Sequence, residues 1–207
     1  MGSGAQYFTN FLVGATSYYS VNNVGLVTAA SHYQTATSIY RRYYHVPLSA
    51  INPGASGATW TPATANNLSG WQLNAAGELL YFGSDVHADW DGASDITVEI
   101  SFALLSAGSA GDTVDLRLQC FYAGTGDTAT KTQTIEVPTT TDGTQYKIYK
   151  ATFTIDYDAV SNVVDARDKF SFILNLETDT SEIDNILVTN GSYYYNTKHV
   201  GIEDSDT

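Results

Sequence analysis

Two runs decide the fold: Asp95-Ile96-Thr97-Val98-Glu99-Ile100-Ser101-Phe102-Ala103-Leu104 and Val114-Asp115-Leu116-Arg117-Leu118-Gln119-Cys120-Phe121-Tyr122. In each, every second residue is apolar and most of those between are polar or small. Period-two alternation of this length is the pattern of a half-buried antiparallel strand, one side in the core and the other in water. Between the runs lies Ser106-Ala107-Gly108-Ser109-Ala110-Gly111-Asp112, small residues that suit a hairpin loop.

Working outward, similar runs recur along the chain. Ile39 to Leu48 reads as a strand that Pro47 either limits to a sheet edge or ends, and 52–70 as a long surface connection rich in Pro, Gly, Ala, Ser and Thr. Trp71–Leu73 and Glu78–Phe82 read as a short hairpin across Asn74–Gly77. Lys131–Val137 is a Thr-rich strand closed by Pro138. Tyr146–Tyr157 is a long strand whose apolar face changes sides, which predicts a bulge near Lys150. Phe170, Phe172, Leu174 and Leu176 mark a further strand; Ile183–Val188 and Tyr193–Asn196 complete the series, with a bulge or tight turn at Asn190-Gly191. Eight or nine strands at this spacing, with no long helical period, predict an all-β antiparallel β-sandwich of jelly-roll type over 39–199.

The ends differ from the middle. Residues 1–40 contain no Asp, Glu, Lys or Arg, although the net charge of the 207-residue chain is −13. Disordered tails are normally charged and poor in aromatics. An uncharged, Tyr-rich segment would be sticky if left in water. Residues 1–38 are therefore expected to form an N-terminal extended arm that docks on a partner through Tyr7, Phe8, Phe11, Tyr18 and Tyr19. The bland alternative is that the arm adds strands to the same sandwich. Residues 200–207 form a short acidic tail.

Charge also excludes partners. All 22 acids lie at Glu78 or later, a surface that would repel the phosphates of DNA or RNA and an anionic membrane. No apolar run is long enough for a transmembrane helix, and no basic n-region precedes Arg41, so no secretory signal is expected. Cys120, the one cysteine, falls on an apolar strand face and reads as a small core residue.

Chemistry is sparse. Asp85, Asp89, Asp91 and Asp95 cluster before the first core strand, and Glu177, Asp179, Glu182 and Asp184 before the last. They raise structural calcium as an alternative, but Gly92 stands fourth from Asp89, where an EF-hand loop needs its glycine at the sixth position. Solvated loop acids that start and stop strands are the preferred reading, with no cofactor. A glycosidase pair would need two carboxyls across a cleft, which spacing cannot show. His32, His45, His87 and His199 have no metal-ligand spacing, and no nucleophile or phosphate-loop motif is present. No enzyme is expected. Trp60, Trp71 and Trp90, with Tyr193-Tyr194-Tyr195, could stack on sugar rings, against ordinary burial as the bland alternative. Tyr193 and Tyr195 share one strand face and Tyr194 takes the other.

The run Asp89-Trp90-Asp91-Gly92-Ala93-Ser94-Asp95-Ile96-Thr97-Val98, with Asp112-Thr113-Val114-Asp115-Leu116 and Phe170-Ser171-Phe172-Ile173-Leu174, resembles the β-sandwich domains of tailed-phage and environmental-virus structural proteins. The likeness covers about residues 40–199. It implies a non-enzymatic virion component, such as a capsid decoration, head fibre or tail-fibre part, working as a homo-oligomer, often a trimer, beside other virion proteins. It brings no catalytic residues. The alternative reading is a carbohydrate-binding or adhesin module whose partners are surface glycans.

Overall fold

The fold is described from a computed structural model. It covers 41–55, 57–62, 66–177 and 182–197, with the backbone alone of 9–13, 16–21 and 27–29. The chain divides into two compact units, Met1–Ile39 and Tyr40–Thr207.

In the first unit, β1 (Thr9–Val13), β2 (Thr16–Val21) and β3 (Val27–Ala29) form a three-stranded antiparallel sheet in the order β1-β2-β3. Within the segment expected as an arm, Phe11 pairs in register with Tyr19, and Tyr18 lies beside it on β2. Tyr7 and Phe8 lie outside the described residues.

The second unit is an antiparallel β-sandwich. Its strands are β4 (Arg41–Val46), β5 (Thr59–Thr61), β6 (Gly70–Leu73), β7 (Leu79–Asp85), β8 (Ile96–Leu104), β9 (Thr113–Ala123), β10 (Lys131–Thr140), β11 (Ile148–Ile155), β12 (Lys169–Leu176) and β13 (Ile186–Asn196). One sheet runs β10-β9-β12-β7; the other runs β11-β8-β13-β6-β5, with β4 also paired to β13. From β6 to β13 the chain changes sheet at every connection except the β9–β10 hairpin. That is jelly-roll connectivity. The inner faces bury Val98, Ile100 and Phe102 of β8 opposite Leu116, Leu118 and Cys120 of β9, with Phe153, Phe172 and Leu174 in the same core.

The two deciding strands form as their alternation requires, but they are not a hairpin. β8 belongs to one sheet and β9 to the other, so Ser106–Asp112 carries the chain across the sandwich. Alternation reveals which side of a strand is buried and says nothing of its lateral neighbour. The same correction applies to β6 and β7, which Asn74–Gly77 links across the two sheets.

Three smaller expectations also change. Pro138 does not close its strand: β10 continues to Thr140, and Pro138 pairs with Asp115 on an edge strand, where a missing N–H is tolerated. No bulge occurs near Lys150, because β11 pairs evenly with β8; instead Ile148 faces water while Ala151, Phe153 and Ile155 face the core. The 52–70 connection contains β5, and Asn52 pairs with Tyr81. The irregularity near Asn190 is a bulge inside one strand, with the register to β8 shifting between Val188 and Asn190.

Candidate binding cleft

Where β4 at the rim of the larger sheet faces β7 and β12 of the smaller, the sandwich opens into a cleft of about 600 Å3. Alternation on β4 sends Tyr44 and Val46 toward the core side and leaves Tyr43 and His45 exposed, with His45 at the edge of the cleft. Pro47 and the 3-10 turn Leu48–Ala50 fold the chain back, so Val46, Pro47 and Ala50 form one apolar wall. Phe170 lies in the floor, and Gly83, Ser84 and Asp85 at the end of β7 line the facing side.

Three rings lie nearly parallel in this cleft. Tyr44 stacks on His87 with centroids 4.5 Å apart and 3° between planes, and on Tyr193 at 4.8 Å and 9°. The register supplies part of this order, since Tyr193 sits directly across from Tyr44 in the β4–β13 ladder. Behind the rings runs a polar chain: the Tyr44 and Tyr195 hydroxyls lie 3.0 Å apart, and Tyr195 donates to Asp89 Oδ1 at 3.0 Å. Asp89 in turn pairs with Arg42 at 2.5 Å. Burial pushes the Tyr193 and Tyr195 hydroxyls above the ordinary tyrosine range, so both remain neutral donors near pH 7. At the mouth, Lys169 Nζ meets Asp85 Oδ2 at 2.5 Å.

Asp85 is the one carboxylate among the residues lining the cleft. The lining combines aromatic rings, apolar walls and a few fixed polar groups, the usual make-up of a small-molecule site of this size.

A second surface lies on the outer side of the four-stranded sheet. Cross-strand register places Gln119, Ile173 and Tyr81 in one row and Arg117, Asn175 and Leu79 in the next. Phe121 lies one step along β9 on the same side. The Arg117 guanidinium is already held by Glu136 at 3.0 Å and by Glu177.

No family model matches the chain, and no curated protein matches it. Solved structures do resemble it. One is the CBM22-1–GH10 modules of Clostridium thermocellum xylanase Xyn10B with xylohexaose, at 9% identity and TM-score 0.46, covering 80% of this chain and 29% of that one. Another is the CBM22-1 xylan-binding domain of Paenibacillus barcinonensis Xyn10C, at 16% identity and TM-score 0.41, covering 79% and 97%. A third is the mannan-recognising module TmCBM27, at 12% identity and TM-score 0.35, covering 75% and 99%. The chain thus spans under a third of the first of these proteins. The likeness assigns no residue a role.

The residues singled out in the sequence fare unequally. Trp90 is buried, 2% exposed, with Nε1 donating to the Ser94 carbonyl at 3.0 Å; it plugs the core. Trp71 is half-buried and donates to the Leu48 carbonyl. Trp60 meets Trp71 edge-on at 5.2 Å and is 43% exposed, away from the cleft. Tyr193 and Tyr195 point inward and Tyr194 outward, where it meets the exposed Tyr43. His45 and His87, unconnected in sequence, line one cleft; His32 and His199 lie outside the described residues.

The acids before β8 are engaged separately: Asp85 with Lys169, Asp89 with Arg42, Asp91 with the Ser94 hydroxyl, Asp95 with the Tyr157 amide. Among the described residues no three His, Cys, Asp or Glu side chains form a metal-binding group. Tyr44 is the cleft residue that sequence reading missed. Its signal was the Tyr43-Tyr44 pair ahead of Pro47, legible only once β4 is known to lie against β13.

Proposed function

We propose that the Tyr40–Thr207 unit is a non-catalytic carbohydrate-binding module and that the β4–β7 cleft takes the sugar. The observation that carries this reading is the parallel set Tyr193, Tyr44 and His87 beside the Asp85–Lys169 pair. A pyranose presents apolar C–H patches and a rim of hydroxyls. Rings and apolar walls suit the first, while a carboxylate, an ammonium and imidazole nitrogens suit the second. The excess of acids favours neutral glycans over anionic ones.

The test is binding of xylan, mannan and their oligosaccharides by affinity electrophoresis and calorimetry. Variants His87→Ala and Asp85→Asn probe the cleft, Phe121→Ala the outer sheet face, and Trp60→Ala the exposed corner. The expected result is retained fold with binding weakened about tenfold or more in the two cleft variants and unchanged in the others. Loss confined to Phe121→Ala would move the site to the sheet face. Absence of binding to any neutral glycan would end the proposal, leaving the virion reading, which rests on sequence resemblance, as the one to pursue.

A further inference from the structure

The sheets of the sandwich end in strands whose outer backbone groups have no ladder partner, and most of these edges are blunted in ways that keep a second strand away. β5 is three residues long, β4 begins with Arg41 and Arg42, and β10 carries Pro138. β7 is covered by Asn52, whose amide and carbonyl both bond Tyr81. β11 has none of these devices. Its eight residues, Ile148-Tyr149-Lys150-Ala151-Thr152-Phe153-Thr154-Ile155, pair evenly with β8 and include no proline, glycine or acid. Their one charge, Lys150, is turned back onto Glu99 of β8 at 2.7 Å. Among the described residues, no backbone hydrogen bond joins β11 to any strand but β8.

Which groups of β11 face outward follows from the residue after it. The Gln133 side chain holds Asp156, accepting from its amide at 3.0 Å and donating to its carbonyl at 2.8 Å. Gln133 belongs to β10 of the other sheet, so both backbone groups of Asp156 point away from β8. In an antiparallel ladder this direction repeats every second residue. The open groups are therefore those of Ile148, Lys150, Thr152 and Thr154. The side chains of these four are exposed, on the outer face of the sheet.

We infer that this edge pairs with the same edge of a second copy of the chain, antiparallel about a two-fold axis at Ala151, so that Ile148 faces Thr154 and Lys150 faces Thr152 of the other copy. Chemistry selects that register. An axis at Lys150 would set two ammonium groups opposite each other. An axis at Thr152 would carry Ile148 onto Asp156, whose groups Gln133 already occupies. The axis at Ala151 uses every open group and places a small side chain where the two strands cross. Charge also favours a second copy at this place. Two chains of net charge −13 repel over most of their surface, and β11 is a stretch without an acid. In this register one cross-strand row reads Ser101, Lys150, then Thr152 and Glu99 of the second copy, so each ammonium stands between two Glu99 carboxylates. The cleft at β4 lies on the opposite margin of the sheet, beyond β13, and stays open. The pairing therefore holds whatever the cleft binds.

The test is sedimentation equilibrium of the full chain over a concentration series up to about 1 mM, the weak end of specific association. The expected result for the wild type is a reversible doubling of mass. Thr152→Lys puts an ammonium opposite Glu99 within its own sheet but beside Lys150 of the second copy. Its dimer should weaken about tenfold or more, with the thermal midpoint of the dissociated chain unchanged. Lys150→Glu combined with Thr152→Lys sets opposite charges across the axis and should restore the dimer. Thr134→Lys, on the exposed side of β10, is the control and should associate like the wild type. A wild-type mass of one chain at every concentration overturns the inference. So does a Thr152→Lys chain that associates as strongly as the wild type, which would put the contact elsewhere. A double variant that stays dissociated overturns the register about Ala151, and the inference with it.

Discussion

Tyr122, Tyr193 and Tyr195 show what burial does to a single titratable group. For each, loss of water is the main reason the hydroxyl pKa is raised above its ordinary value; for Tyr195 the Tyr44 and Asp89 partners add to it. The sign follows directly. A tyrosine whose folded pKa is raised contributes stability that is fully present below about pH 10, the unfolded value, and is lost as pH rises through the folded value. Absorbance at 295 nm should therefore titrate in two stages in the folded protein. Exposed tyrosines ionise first, and these three follow only as the fold gives way above pH 10. In urea all should titrate together near pH 10; a single-stage native curve coincident with the urea curve would refute the burial argument. At the same scale Lys131 shows competing effects: burial works against its charge, yet Asp165 and Asp168 outweigh that and hold its pKa above normal.

At the scale of elements, pairing depends on backbone approach as much as on side-chain pattern. Gly70 opens β6 where a Cβ would fall 2.1 Å from the Val188 carbonyl oxygen of β13, whereas Gly77 in the following turn has open space around it. Gly70→Ala should cost about 1–3 kcal/mol through strain in that pairing. Gly77→Ala should be neutral or stabilise by up to about 1 kcal/mol through the unfolded chain. Urea midpoints with unchanged slope would measure both, and equal effects would show that the β6–β13 approach is not tight. Such contacts explain what the sequence left illegible. The inward set of β8, β9 and β12 could be read from alternation, because burial acts residue by residue along one strand. Which strands lie side by side could not, because Phe102 and Leu118 face the same core from opposite sheets and look alike in a list of letters. The cleft was hidden for the same reason: Tyr44, His87 and Tyr193 are brought together only by the β4–β13 ladder and the loop after β7.

At the scale of the molecule, the buried core of the sandwich, among the described residues, runs from Val46 to Tyr195. A chain beginning at Tyr40 should fold with a single cooperative transition, at a midpoint close to that of the full chain. The uncharged first unit is a separate matter. Three short strands offer two faces and need a covering layer for stability. Self-association through this segment is thus the assembly expectation to test, by light scattering on the full and shortened chains. Oligomers that become monomers on shortening would support it; monomers in both would retire it. If the shortened chain fails to fold, the independence of the sandwich is refuted.

The position of β13 has a consequence for biosynthesis. It is the last of the described strands to be made, yet it lies inside the larger sheet, bonded to β8 on one side and to β6 and β4 on the other. While a ribosome is still extending the chain, β8 therefore waits with an open edge, β6 is joined to β5 alone, and β4 waits for β13. The four-stranded sheet can assemble as soon as β12 emerges, but the larger one closes only when Ile186–Asn196 is released. Nascent chains stalled before that point should be protease-sensitive and held by chaperones, and the domain should fold in one late step after synthesis rather than strand by strand during it.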